Sequence, residues 1–179
     1  MLRDTHQSTT DGDARLYRKS GSGAVAPSYL GHLLTENRNG LIVAAEASQA
    51  GAAEERRAAL RMLKRLKRKP RITLGADKSY QEECFLSGLR REGVVPHVAE
   101  YRPNPKWRNW LTESERNAAG MALSQRKRKL VEKSFVAETG PAAAGKTAWT
   151  QRVDWLFRFA AAAHNLLRLS KLIPIPATA

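Results

Sequence analysis

Cysteine is nearly missing from this chain, with Cys84 the only one in 179 residues. One thiol can close no intrachain disulfide and build no cysteine-based zinc site, which excludes both secreted disulfide scaffolds and zinc modules. Cys84 falls in a helical pattern with no histidine near it in sequence, so it is expected as a small core residue and not as a nucleophile. Long hydrophobic runs are missing too. The most apolar stretch, Trp155 to Leu169, is interrupted by Arg158, His164 and Arg168 and reads as a helix buried nearly all round, not a bilayer span. The opening Met1-Leu2-Arg3-Asp4 leads into polar residues with no signal-peptide pattern. A cytoplasmic protein with no membrane partner is the expectation. The four histidines, His6, His32, His97 and His164, show no metal-ligand spacing.

Acidic residues are scarce as well: 17 Asp and Glu stand against 31 Lys and Arg, a net charge of +14. That excess favours a polyanionic partner, nucleic acid before membrane. The basic residues cluster at Arg56-Arg57, from Lys64 to Arg71, at Arg90-Arg91 and from Arg126 to Lys129, which strengthens the nucleic-acid reading.

The length fits one domain over residues 1–179 with a sizeable core. Residues 1–23 are polar and rich in Thr, Ser, Asp and Gly, an irregular leader with no core-facing pattern. Two apolar runs, Tyr29 to Leu34 and Leu41 to Ala45, flank Asn39-Gly40 and predict a hairpin, because both turn residues tolerate positive φ. Gly51 to Lys69 carries Ala59, Met62 or Leu63 and Leu66 on one helical face and stops before Pro70. Ile72 to Ala76 is a short strand ending at Asp77. A helix from Gln81 to Arg91 ends at Gly93, and Val94 to Val98 is an edge strand because of Pro96. Residues 101–117 are a basic and aromatic insert. A helix follows from Ser124 to Glu138, and a last one is capped by Thr150, with Val153, Leu156, Ala160, Ala163 and Leu167 facing the core. The order predicts an α/β layered domain around a mixed sheet.

Three constellations could carry chemistry. Asp77 closes an apolar strand, where open α/β sheets place ligands, although the same position suits a helix cap. Glu132 lies one turn after Arg128 on a basic helix, either as a metal ligand or as a solvated ion pair. Carboxylates are the ligands that hard divalent cations prefer, so the two acids suggest metal-assisted phosphodiester chemistry. Gly140 to Thr147 satisfies the G-x-x-x-x-G-K-[ST] phosphate-loop pattern, with Lys146 and Thr147 as the nucleotide and magnesium contacts. What precedes that loop is a charged helix pattern where a buried strand is required. Lys106-Trp107-Arg108-Asn109-Trp110 alternates basic and aromatic groups, as single-stranded or distorted DNA would use, or as a loop anchored by its tryptophans.

The ordered set Ser8 to Lys19, Leu30-Gly31-His32 with Glu36 to Leu41, Gly75 to Tyr80, Ser124 to Lys129 with Glu132, and Val153 to Leu172 resembles the catalytic core of bacterial insertion-sequence DDE transposases. The resemblance covers nearly the whole chain. It implies a ribonuclease-H-like fold and metal-dependent DNA cleavage and strand transfer at transposon ends, with transposon ends and target DNA as partners. The family holds two Mg2+ ions with three acids, and a homodimer in a DNA complex is among the expectations. Asp77 matches the second acid, Glu132 the third, and Arg128 the arginine one turn before it. No residue matches the first acid, whose strand would precede Met1, so a truncated and inactive copy is the expectation. DNA contacts are expected from Lys78, Arg126, Lys127, Arg128, Lys129, Trp107 and Arg108. Departures are Gln125 where the family often has Tyr, and Thr139 where it often has Lys. The alternatives are a phosphate-loop nucleotide hydrolase and a non-catalytic basic DNA-binding protein.

Overall fold

The computed structural model describes residues 8–18, 24–66, 72–101, 108–131 and 148–173. Within them the fold is mixed α/β, but the strands form two sheets where one mixed sheet was expected. Strands β1 (Arg15–Tyr17), β2 (Ala26–Thr35) and β3 (Ile42–Gln49) make an antiparallel sheet in that order, and β4 (Thr73–Ala76) pairs in parallel with β5 (Val95–Val98). The hairpin predicted around Asn39-Gly40 joins β2 to β3. Its turn is held by the Glu36 carboxylate, which accepts the N–H groups of Arg38, Asn39 and Leu41, while Gly40 supplies a φ of 73°. These N–H groups hold the Glu36 carboxyl below its usual range against the opposing effect of burial. Part of the polar leader also becomes strand: Arg15 to Tyr17 pair with Ser28 to Ala26, a backbone partnership that composition does not announce.

Helices α1 (Glu54–Arg65) and α2 (Glu83–Arg91) cover one face of both sheets. Their apolar faces meet in a core containing Leu34, Met62, Leu63, Phe85, Leu86 and Leu89, each contributing about 1.5–3 kcal/mol by burial. Cys84 lies on the other side of α2 and is exposed, against expectation, because the phase of this helix is set by Phe85, Leu86 and Leu89. Glu46 of β3 is buried beneath α1 and accepts from Arg61 Nε at 2.8 Å and Arg65 Nη1 at 3.0 Å. The insert forms a short helix, α3 (Glu113–Arg116), started by a Thr112/Glu115 capping box.

The opposite face carries α4 (Met121–Lys127) over β4 and β5, and α5 (Thr150–Leu172) over β3 and β2. One glycine allows this approach: a Cβ on Gly31 would stand 2.7 Å from the Phe157 ring. The last helix departs from expectation twice. Its inward face is Asp154, Phe157, Ala161 and Asn165, whereas Trp155, Phe159, Leu166 and Leu167 are each at least 60% exposed. The phase is fixed by polar contacts: Asp154 accepts the Ala47 N–H, and Asn165 both accepts from and donates to the backbone of Ile42. Thr150 is also not the cap. The residue before the helix is Trp149 at φ 76°, and Asp13 binds the N–H and hydroxyl of Thr150 at 3.0 and 2.9 Å. No helix among the described residues is long and apolar enough to cross a membrane.

The two sheets share the α1/α2 layer and run in opposed directions. Gln49, the end of β3, pairs with Tyr29 near the start of β2, and α1 begins just beyond at Glu54. The first turn of α1 reaches the far end of β4, where Arg56 pairs with Glu82 at 3.0 Å and donates to the Ser79 carbonyl. The C-terminal end of β4 therefore lies beside the N-terminal end of β2.

Candidate functional site

A cleft of ≈ 350 Å³ separates the two sheets. One wall is β2 from Gly31 to Thr35, the other is β4 from Thr73 to Asp77, the floor is Ala59 and Met62 of α1, and the far rim is Arg128 and Val131. Asp77 stands at the mouth of this cleft. It is also a cap, accepting the Ser79 N–H at 2.8 Å and the Ser79 hydroxyl, which starts a 3-10 turn over Lys78–Tyr80. The cap reading of Asp77 is thus observed, and the same residue lines the cleft. Tyr80, half-buried against Phe85, has its hydroxyl pushed up by desolvation and by the nearby acids Glu55 and Asp77.

Arg128 is brought to the same cleft by a residue that the motif reading treats only as a departure. Gln125 donates its side-chain amide to the carbonyls of Ala76, at 3.2 Å, and His97, tying α4 to the adjacent ends of β4 and β5. Its carbonyl oxygen accepts Arg128 Nε at 2.8 Å. One amide therefore satisfies two strand carbonyls and aims a guanidinium. No periodicity or charge pattern flags such a residue; only its position three before Arg128 could have. Arg126, Lys127 and Lys129 project outward and are exposed, and Lys78 lies over the Tyr101 ring at 5.7 Å.

The remaining predicted residues divide. Glu132, Trp107, Lys146 and the whole phosphate-loop lookalike, residues 140–147, lie outside the described residues. Arg108 is exposed and stacks over Trp110 at 4.1 Å, and Trp110 packs against the core. That half of the aromatic and basic segment serves as a loop anchor. His97 is buried with neither ring nitrogen hydrogen-bonded among the described residues, and His32 is buried with Nε2 2.8 Å from the Ser48 hydroxyl. Burial pushes both imidazoles down, so they are neutral at pH 7.

Among the described residues no group of three His, Cys, Asp or Glu side chains could hold a metal ion. The cleft they form is lined by two carboxylates, Asp77 and Glu55, and a positioned arginine, Arg128, and the same helical segment carries the exposed cations Arg126, Lys127 and Lys129. It can attract and orient a phosphate backbone, and it offers two carboxylates, Asp77 and Glu55, to a cation. The chain matches no protein-family model, no curated protein and no solved structure.

Proposed function

We propose that this chain is part of the catalytic domain of an insertion-sequence DDE transposase, built on a ribonuclease-H-like sheet, and that alone it binds DNA without cutting it. The observation that carries this reading is the shared cleft: Asp77 at the end of β4 and Arg128 and Val131, on the segment leading directly into Glu132, line one cavity. Asp77 and Arg128 are the positions that match the family's second acid and its arginine, and Val131 directly precedes the match to its third acid, Glu132. The opposed directions of β2 and β4, with a parallel partner for β4, are compatible with such a sheet.

In a complete domain two magnesium ions supply activation of the attacking oxygen and stabilisation of the leaving one. The described residues do not fit that pair, because the carboxylates they bring to the cleft are Asp77 and Glu55, no group of three acids stands together among them, and no residue of the chain matches the first acid. This chain's own residues therefore bind and orient. Lys78, Arg126, Lys127 and Lys129 neutralise phosphates, and Arg128, held by Gln125, presents a fixed fork to one of them. A homodimer on DNA is the assembly this reading carries.

Labelled duplex DNA titrated with the purified chain between 50 and 200 mM salt tests it. Affinity should fall steeply with salt, and neither magnesium nor manganese should produce nicks. Salt-independent binding would contradict the DNA reading. Metal-dependent cleavage that is lost in Asp77→Ala would show that another residue replaces the missing acid. A second reading, a non-catalytic DNA-binding protein, is favoured by the engagement of Asp77 as a cap. It predicts that Asp77→Asn and Glu132→Gln leave DNA binding unchanged with or without magnesium.

A further inference from the structure

The two walls of the cleft are strand edges, and the hydrogen-bond pattern shows which groups face it. On β4, the carbonyls of Ile72 and Ala76 accept from Val95 and Ala99. Backbone groups alternate sides along a strand, so those of Thr73 and Gly75 point away from β5, into the cleft. On β3, Ala47 directs its N–H outward to Asp154. Its partner Gly31 therefore turns its own backbone groups away from β3, and Leu33 follows by the same alternation. Gly31, Leu33, Thr73 and Gly75 all line the cavity.

β2 and β4 run in opposite directions. A segment lying between them antiparallel to β2 is thus automatically parallel to β4, and can bond both edges at once. Strand β1 already occupies the first part of that β2 edge, at Ala26 to Ser28, and leaves the stretch beyond it open. We propose that the cleft is a strand-addition site for an extended segment of a second polypeptide, which bridges β2 and β4 and fuses the two sheets into one. Its chemistry follows from the walls. Alternate side chains that face Ala59 and Met62 must be apolar. The C-terminal end, parallel to β4, arrives beside Asp77 and Arg128, where an acidic residue meets the guanidinium held by Gln125. The strand site stands on backbone geometry; the acid at its end rests on the transposase reading.

The probe is the fluorescein-labelled peptide Lys-Val-Thr-Val-Thr-Val-Asp, titrated against the full chain and followed by anisotropy and amide hydrogen exchange. Saturable binding is expected, with new protection at the amides of Leu33, Thr73 and Gly75. N-methylation of alternate peptide nitrogens should weaken binding at least about tenfold, since main-chain bonds give the affinity of added strands. Thr73→Pro, which removes an N–H facing the cleft at the first position of a strand, should weaken it similarly without altering the melt. No binding, equal binding of the N-methylated peptide, or protection along the outer edge of β5 would overturn the strand site. Dimerisation of the chain that excludes the peptide would show a second copy to be the occupant, and would overturn it too. The transposase reading is judged separately. Peptide binding that confers no metal-dependent nicking would leave the strand site and remove the acid's role. Salt-sensitive DNA binding without peptide binding would leave the transposase reading and remove the strand site.

Discussion

The outer edge of β3 and the facing inner edges of β2 and β4 are treated in opposite ways. At the outer edge α5 spends two inward polar residues, Asp154 and Asn165, on the backbone of Ala47 and Ile42, so the sheet ends in satisfied groups. At the inner edges Gly31, Leu33, Thr73 and Gly75 border an open cleft. An unpaired edge invites pairing with another chain, and capping it is the usual defence. The contrast teaches that the cleft is not simply an unprotected rim. One edge is closed at the cost of an apolar helix face, and the other two are left open toward each other next to Asp77 and Arg128.

The largest effect should come from opening the closed edge. The double variant Asp154→Leu with Asn165→Leu strands the Ala47 N–H and both Ile42 groups, and is expected to cost about 3–5 kcal/mol in urea melts, at about 1–3 kcal/mol for each unsatisfied group. A loss below 1 kcal/mol would mean that the edge needs no cap. Gly31→Ala acts on the same contact from the strand side. Its methyl would meet the Phe157 ring, and overpacking of this kind costs about 1–3 kcal/mol. Gly31→Ala combined with Phe157→Leu should recover much of that loss, and no recovery would assign the cost elsewhere.

Much of this fold is legible in the sequence, and the failures share one cause. Asn39-Gly40 announces the β2–β3 turn, Gly93 at φ 68° ends α2, and Ala59, Met62 and Leu63 mark the buried side of α1, because each is decided by local backbone preference or by apolar spacing. The phase of α5 is not legible. Apolar periodicity selects Val153, Leu156, Ala160, Ala163 and Leu167; the first three are half-buried, but Ala163 and Leu167 are exposed, and the helix turns Asp154 and Asn165 inward to serve a strand distant in sequence. The displacement of Thr150 by Asp13 as the group binding the helix start, the exposure of Cys84 and the latch made by Gln125 are likewise long-range. In the candidate site, Asp77 and the basic helix could be named from sequence; that they share a cleft bounded by two strand edges could not.

The histidines sharpen the comparison through pH. Burial holds the folded pKa values of His32 and His97 below the ordinary 6.5, so the unfolded chain binds protons that the folded chain refuses. Stability should be full above pH 6.5 and decline as pH falls from there through the folded values. Unfolding free energies measured from pH 8 to pH 5 check this, and His97→Leu should flatten the decline. A rise in stability on acidification would contradict the neutral, buried assignment.

Smaller effects are expected on the open side. Gln125→Leu removes the amide from the Ala76 and His97 carbonyls and frees Arg128, with an expected cost of about 1–2 kcal/mol and weaker DNA binding. Unchanged DNA affinity would mean that Arg128 needs no positioning. Lys127→Ala and Lys129→Ala should leave stability within about 0.5 kcal/mol, since both side chains are exposed. Each should reduce the slope of log affinity against log salt by about 1 if it contacts phosphate.

The central claim, that the strand-end acid and the helix leading to Glu132 form one site, is tested most directly by proximity. In a Cys84→Ser background, cysteines at positions 77 and 132 can be joined by a short bifunctional thiol reagent. The pair at 77 and 128 serves as the reference, because Asp77 and Arg128 line the same cleft. The account predicts rapid intramolecular cross-linking of both pairs in the folded chain and its loss in urea. Efficient joining of 77 to 128 with none of 77 to 132 would put Glu132 on another surface and contradict the claim.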